Sequence, residues 1–302
     1  MKKILVIHYS QSGQLTEILH NFSRSFQSDD VDFVEIKPSK AYTFPWTSAS
    51  FYKEMPSSVL EIETALESIQ FKYVSYDLIV LGYQPWFLSP SIPTTSLLKH
   101  EPFLKLIINT PVVTVIGARN MWLNAQESVK KRIQDAGGKL IGNVPLIDKN
   151  PNLISAITIL HWMSTGKKTK KWGIFPFPGI SDQDIKNSTI WGDLLYRHFS
   201  TEQLSTFQKT LIEQKGIVIS DSILFIEERA KKIFKIWAKG IVKKRNPTNW
   251  LIAFRFYLLF ALFCVAPILL IINTLLIAPL TRNVIKRKKS YFYHTELKKS
   301  CI

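Results

Sequence analysis

The chain has 302 residues, 39 Lys and Arg against 23 Asp and Glu, and two cysteines, Cys264 and Cys301. Without a Cys-x-x-Cys pair there is no basis for a zinc site or a disulfide framework, and a reducing, cytoplasmic setting is the default. The charge is divided unevenly: residues 1–150 carry 15 basic and 14 acidic side chains, residues 151–302 carry 24 and 9. A near-neutral domain should therefore precede a segment that meets something anionic. Apolar runs beside the basic ones favour membrane lipid over nucleic acid.

Lys3–Tyr9 reads as a buried strand, too short in its apolar run for a signal peptide. The loop Ser10-Gln11-Ser12-Gly13-Gln14-Leu15-Thr16 follows, and a helix starts at once. Leu15, Ile18, Leu19, Phe22 and Phe26 share one face of that helix. Free N–H groups and the dipole at such a helix start favour a phosphate, with hydroxyls from Ser10, Ser12 and Thr16 as further donors. The loop is neither a P-loop nor a three-glycine dinucleotide loop. Its S-x-S-G-x-x-T form resembles the flavin mononucleotide (FMN) phosphate loop of flavodoxin-like proteins.

Val31–Ile36 alternates as a second strand. Residues 41–56, with Tyr42, Phe44, Trp46, Phe51 and Tyr52, exceed an ordinary connection and suggest a lid or an apolar pocket wall. A helix capped by Ser57 or Ser58 is expected to carry Leu60, Ile62, Leu66 and Ile69. Asp77–Gly82 and Val112–Gly117 are apolar enough for central parallel strands. Asn124 with Glu127 reads as a capping box for the next helix, which ends at Gly137-Gly138. Leu140–Ile147, interrupted by Pro145, reads as an edge strand.

The alternation over residues 1–150 implies a doubly wound, five-stranded parallel sheet, with ligands bound beyond the carboxyl ends of its strands. Three loops leave from those ends. The first suits phosphate. The other two, Gln84-Pro85-Trp86-Phe87-Leu88 and Gly117-Ala118-Arg119-Asn120-Met121-Trp122, suit a flat aromatic ring, so FMN is the expected cofactor. Gln84–Ser89 with Pro93 beyond is similar to the ring loop of flavodoxin-like quinone reductases, whose backbone amides face the isoalloxazine. K-I-L-V-I-H-Y-S-Q-S-G-Q-L-T-E-I at 3–18 and R-N-M-W-L-N-A-Q-E at 119–127 resemble the dialkylresorcinol-condensing enzymes that accompany flexirubin and aryl-polyene pigment genes. That resemblance implies oxidative aromatisation of a dialkyl-cyclohexanedione and a ketosynthase partner that builds the ring, because a condensing enzyme needs an activated Cys that neither cysteine here supplies. Arg119, Asn120, Tyr83 and His161 are the candidate catalytic donors. A quinone reductase using NAD(P)H, or a flavin-binding electron carrier or sensor, are the alternative readings, and a homo-oligomer is compatible with each.

Residues 151–219 form an apolar and basic extension expected near the active site. It comprises a helix at 152–164 with His161 and Trp162, four lysines between 167 and 171, and the proline-spaced loop Gly173–Gly179. Residues 220–302 hold the membrane signals. Over 220–244, Ile226, Ala230, Ile233, Trp237 and Ile241 form a stripe flanked by lysines, suited to an anionic membrane surface. Phe256–Thr281 is free of formal charge for 26 residues, about 39 Å as a helix against a hydrocarbon core of ~30 Å. Basic residues flank both ends, so the positive-inside rule sets no direction. A single span and a re-entrant hairpin bent near Pro267 are both open. Cys301 is next to last and makes no prenylation box. The expected location is the cytoplasmic side of the inner membrane, attached by the C-terminal region.

Overall fold

In the computed structural model, residues 1–26 and 29–297 are described; Cys301 lies outside them. Five parallel strands, β1 (Lys3–His8), β2 (Asp30–Glu35), β3 (Leu78–Tyr83), β4 (Pro111–Ala118) and β5 (Lys139–Ile147), form one sheet in the order β2-β1-β3-β4-β5. This is the flavodoxin-like order, with its switch point between β1 and β3. β1 and β3 pair from Ile4↔Leu78 to His8↔Gly82, so the loops after both strands leave the same edge side by side. Pro145 lies in the outermost strand, as its missing N–H requires.

The helices are α1 (Gln14–Phe22), α2 (Ser48–Lys53), α3 (Met55–Val59), α4 (Ile92–Leu97), α5 (Glu101–Ile107), α6 (Leu123–Asp135), α7 (Asn152–Thr165), α8 (Asp182–Ser200), α9 (Phe207–Glu213) and α10 (Asp221–Val242). A helical run from Thr248 to Tyr293 follows: α11 (Thr248–Phe260), α12 (Ala266–Ile272) and α13 (Ala278–Tyr293), joined by π-helical turns at Ala261–Val265 and Asn273–Ile277. Strand alternation divides the helices between the sheet's two faces. A Cβ on Gly117 would meet Leu15 and Ile18 of α1, whereas Thr114 turns the other way to Gln126 of α6.

α8 completes the layer beside α1, so residues 182–200 belong with the α/β domain and a boundary at 150 cuts through it. Ser188 Oγ donates to the Ile18 carbonyl, and Thr189 Oγ1 to that of Asn21. A Cβ on Gly192 would stand 1.8 Å from the Phe22 carbonyl oxygen; the two backbones touch there, and only glycine fits.

Two expected elements differ. The helix over Leu60–Ile69 is absent. α3 stops at Val59, Glu61 takes a left-handed φ of 54°, and Ile62 is 46% exposed. Extended chain follows instead, with Ser39 N–H donating to the Ala65 carbonyl and Glu67 N–H to that of Lys37. Spacings of two, four and three residues do not keep one helical face, and bridging the chain after the outermost strand β2 uses the same apolar residues. The Asn124/Glu127 capping box does not form either. Asn124 lies inside α6, its N–H bonded to Glu227 Oε1 of α10 at 2.7 Å and its side-chain amide to the Glu227 carbonyl. The cap comes from a residue 103 positions away.

Candidate active site at the switch point

Phosphate-loop geometry follows from Gly13. With φ at 80° it turns the chain into α1 without supplying a side-chain cap. The first-turn N–H groups of Gln14 and Thr16 therefore stay available to an anion. Ser10 Oγ accepts from the Leu15 N–H at 3.2 Å and Thr16 Oγ1 lies 2.8 Å from His8 Nε2, so both hydroxyls brace the loop. Gln11 and Gln14 anchor it to neighbours. Gln11 Nε2 donates to the carbonyls of Tyr42 and Thr43 in the aromatic insertion. The Gln14 amide exchanges two bonds with the Ile180 backbone. Gly179 makes that second contact possible, since a Cβ there would lie 2.7 Å from the Trp162 ring.

The second loop is a tight hairpin in which Pro85 pairs with Pro90 and Trp86 with Ser89. Its two corner residues, Phe87 and Leu88, have φ of 46° and 66°, the geometry a two-residue hairpin wants and side chains resist. Packing holds it. Phe87 lies 4.6 Å from the Phe51 ring and 6.4 Å from that of Phe254. Trp86 stands edge-on to Tyr9, Tyr42 and Trp46 at 5.1–5.9 Å. With its amide oriented to suit its neighbours, Gln84 accepts from Gln11 N–H and Trp86 Nε1–H, which joins the hairpin to the phosphate loop.

The third loop is fixed by Asp148, a residue the sequence reading did not single out. It is buried at the end of β5. Its N–H donates to the Ala118 carbonyl, and its carboxylate accepts from Asn150 and from Ser155 of α7. Arg119 Nη1 donates to the Asn152 carbonyl at 3.0 Å. Burial lowers the Arg119 guanidinium to about 10, against the opposing pull of Asp148, so it stays a cation at neutral pH.

One cavity of about 420 Å³ collects these loops. Gln11, Ser12, Gln14 and Leu15 line it from the first loop, Gln84, Pro85, Trp86, Phe87 and Leu88 from the second, and Gly117, Ala118, Arg119 and Met121 from the third. Ser10, Gly13 and Thr16 stand behind at the phosphate end. The fit to FMN rests on a polar helix start braced by Ser10 at one end and a flat aromatic and amide-bearing slot beside it.

Four expected residues stand elsewhere. Trp122 is buried in the core at 2% exposure. Asn120 turns its amide to Asn152 Oδ1 at 2.8 Å. Tyr83 is fully buried on the α6 face of the sheet, where its hydroxyl donates to Gln126 Oε1 at 2.7 Å, and it cannot reach a substrate. His161 faces Thr169 on the outside of α7, while Ala156, Ile159, Leu160 and Met163 of that helix line the cavity. Arg119 alone of the four proposed donors lines it.

The stripe on α10 is only partly covered: Ile241 is buried, whereas Ile233 stays 38% exposed. Phe234, Ala238 and Ile241 are buried with Tyr52, Met55 and Phe254 in a second apolar cluster, while Lys232, Lys235, Lys239, Lys243 and Lys244 remain exposed. Beyond the flavin slot the cavity continues between Ile226, Ala230 and Ile233 of α10 and Leu258, Leu262 and Leu269 of the apolar run. Thr248–Ile277 is long and apolar enough to cross a membrane, and only 11% of its most apolar window is buried, unlike a core helix.

No known family profile matches the chain, and no curated protein does. Similar solved structures include a flavoprotein from Lactobacillus acidophilus NCFM in complex with FMN, at 18% identity and TM-score 0.41 over 48% of this chain and 93% of that one. A flavoprotein from Bacteroides eggerthii DSM 20697 is 20% identical, with TM-score 0.37, over 48% and 89%. Oxidised flavodoxin 1 from Bacillus cereus is 13% identical, with TM-score 0.33, over 65% and 98%.

Proposed function

We propose that this chain is a membrane-associated, FMN-dependent oxidoreductase that converts a dialkyl-cyclohexanedione to a dialkylresorcinol. The observation that carries the reading is the continuity of one cavity from Gln11 and Ser12, past Trp86 and Arg119, to Leu262 and Leu269. Its polar end suits a phosphate, its middle a flavin with a substrate ring stacked above it, and its apolar end a long alkyl chain. The resemblance of residues 3–18 and 119–127 to dialkylresorcinol-forming enzymes supports the choice of ring.

Bound FMN supplies acceptance of the two electrons and the hydrogen that leave the ring carbon as hydride. The chain's residues do the rest. A 1,3-dione ionises readily, so the site needs a cation at the enolate oxygen more than a strong base. Arg119 fits that need, and its charge acts strongly in an apolar cavity. Trp86, edge-on to Tyr42 and Trp46, excludes water from the ring seat together with them. Cys264 is exposed on the apolar run and outside the cavity, so ring construction falls to a partner ketosynthase. The exposed lysines of α10 suit the anionic face of the inner membrane on its cytoplasmic side.

The test is anaerobic mixing of the flavin-loaded protein with the cyclohexanedione. Stoichiometric bleaching of the flavin with formation of resorcinol is expected. Bleaching by NAD(P)H alone, with turnover of a quinone, would replace the aromatase by a quinone reductase. A protein purified in mild detergent without flavin overturns both.

A further inference from the structure

The apolar run has its two ends on the same surface. Near its start, Phe254 packs on Phe234 and Trp237 of α10 with ring centroids 5.3 and 5.7 Å away. Near its end, Lys288 pairs with Glu228 at 2.6 Å and Lys289 with Asp221 at 2.8 Å, again on α10. Tyr291 bonds Glu127 at 2.5 Å, and Gln208 Nε2 donates to the Tyr293 carbonyl at 2.6 Å. A straight helix would put Phe254 and Lys288 about 51 Å apart at 1.5 Å per residue, whereas Phe234 and Glu228 are separated by about 9 Å along α10. Side-chain reach does not close that difference, so the run must turn back. The two π-helical turns, at Ala261–Val265 and Asn273–Ile277, with prolines at 267 and 279, are the places where a helix can bend.

We infer that residues 248–293 form an arch that dips into one leaflet of a lipid bilayer and returns to the side it left. The inference rests on the membrane reading above and settles a topology that reading leaves open. Lipid is the occupant its outer face fits. Phe256, Phe260, Ile268, Ile271, Leu275 and Leu276 are 59–68% exposed, and no charged residue interrupts 256–281. Shared between descent and return, those 26 residues allow about 20 Å each way, short of a ~30 Å hydrocarbon core. Lys243, Lys244 and Arg245 before the charge-free stretch and Arg282, Lys286 and Arg287 after it then sit at one membrane surface, which a single span cannot offer to two basic flanks. The arch's inner face, with Leu258, Leu262, Val265 and Leu269, walls the cavity, so the cavity's apolar end meets the leaflet.

Cysteine labelling tests this in the full chain. In a Cys264→Ser, Cys301→Ser background, single cysteines are placed by Arg245→Cys, Leu275→Cys and His294→Cys. Sealed inside-out and right-side-out membrane vesicles are treated with a membrane-impermeant maleimide. Arg245→Cys and His294→Cys should label in the same vesicle orientation and lose the label in the other, with Leu275→Cys protected in both. Labelling of His294→Cys only in the opposite orientation to Arg245→Cys means a single span, which overturns the arch and leaves the membrane reading intact. Recovery of the protein in the supernatant after vesicle sedimentation overturns the membrane reading and the arch with it.

Discussion

His8 ends β1 directly under the phosphate loop. It is fully buried, and its Nε2 lies 2.8 Å from Thr16 Oγ1. Burial lowers the imidazole to about 4; the Val34 carbonyl pulls the other way, and His20 adds a smaller lowering. Between about pH 6.5 and pH 4 the unfolded chain therefore binds a proton that the folded chain refuses. Stability is full above the unfolded value and falls as the pH drops through that window, by on the order of 3 kcal/mol. Denaturant titrations at pH 7.5, 6 and 5 should show this loss, and His8→Gln, which keeps a polar partner for Thr16, should flatten it. Equal slopes in the two proteins would show that other groups set the acid limit. The S-x-S-G-x-x-T pattern made the loop legible, but not this support, because burial of a strand-end histidine is a property of the sheet. The same limit hid the true position of Tyr83. β3 is apolar throughout, as a strand covered on both faces must be, so its sequence does not say which face residue 83 takes.

At the level of elements, the link between α10 and α6 joins the basic helix to the flavin-ring loop. Glu227, 1% exposed, sits on the first turn of α6 immediately after Met121 and Trp122. Burial raises its carboxyl to about 7, although the N–H groups of Asn124, Leu123 and Trp122 and the charge of Lys231 favour the ionised form. A raised value means that the folded state holds a proton the unfolded state has released. The contribution is full below about pH 4.5 and fades as the pH rises through about 7. Glu227→Gln keeps an acceptor for the Asn124 N–H without the charge, so it should match the wild type at pH 5 and exceed it in melting temperature at pH 8. Glu227→Ala leaves that N–H uncapped and should lose about 1–2 kcal/mol at pH 5, where the wild type caps it with a neutral carboxyl. A Gln variant with the wild-type pH slope would refute the assignment. The sequence placed α6 correctly and its cap wrongly, because a cap 103 residues away leaves no local trace. α8 escaped for a related reason. Ser188 and Gly192 occupy positions where it touches α1, and small residues at a close crossing dilute the apolar period. α7 is apolar nearly all round, so its pattern could not show that His161 points outward while Leu160 lines the cavity.

Across the whole molecule, the cavity has two builders. The α/β domain contributes the phosphate loop, Trp86 and Arg119, and the arch contributes Leu258, Leu262 and Leu269. A chain cut after Pro247 keeps α10, and with it the Glu227 cap on α6, which a cut at 220 would remove. It also loses Tyr291 and the Glu296 carbonyl, two partners of the nearly buried Lys130, which retains Glu127 at 2.5 Å. FMN binding should survive, since every loop residue at the cofactor end remains. Hydrophobic contact with the alkyl chain should weaken, because each buried methylene contributes about 0.8 kcal/mol and the arch side of its wall is gone, leaving Ile226, Ala230 and Ile233 of α10. The truncated protein should therefore turn over a short-chain cyclohexanedione with nearly unchanged KM, while KM for longer homologues rises with each added carbon relative to the full chain in detergent. A uniform rise across chain lengths would mean that the arch supports the ring site itself, and no rise at any length would mean that the alkyl chain lies elsewhere. Either result separates the arch's part in substrate binding from its part in attachment, which the same truncation reports independently through the share of protein in the membrane pellet.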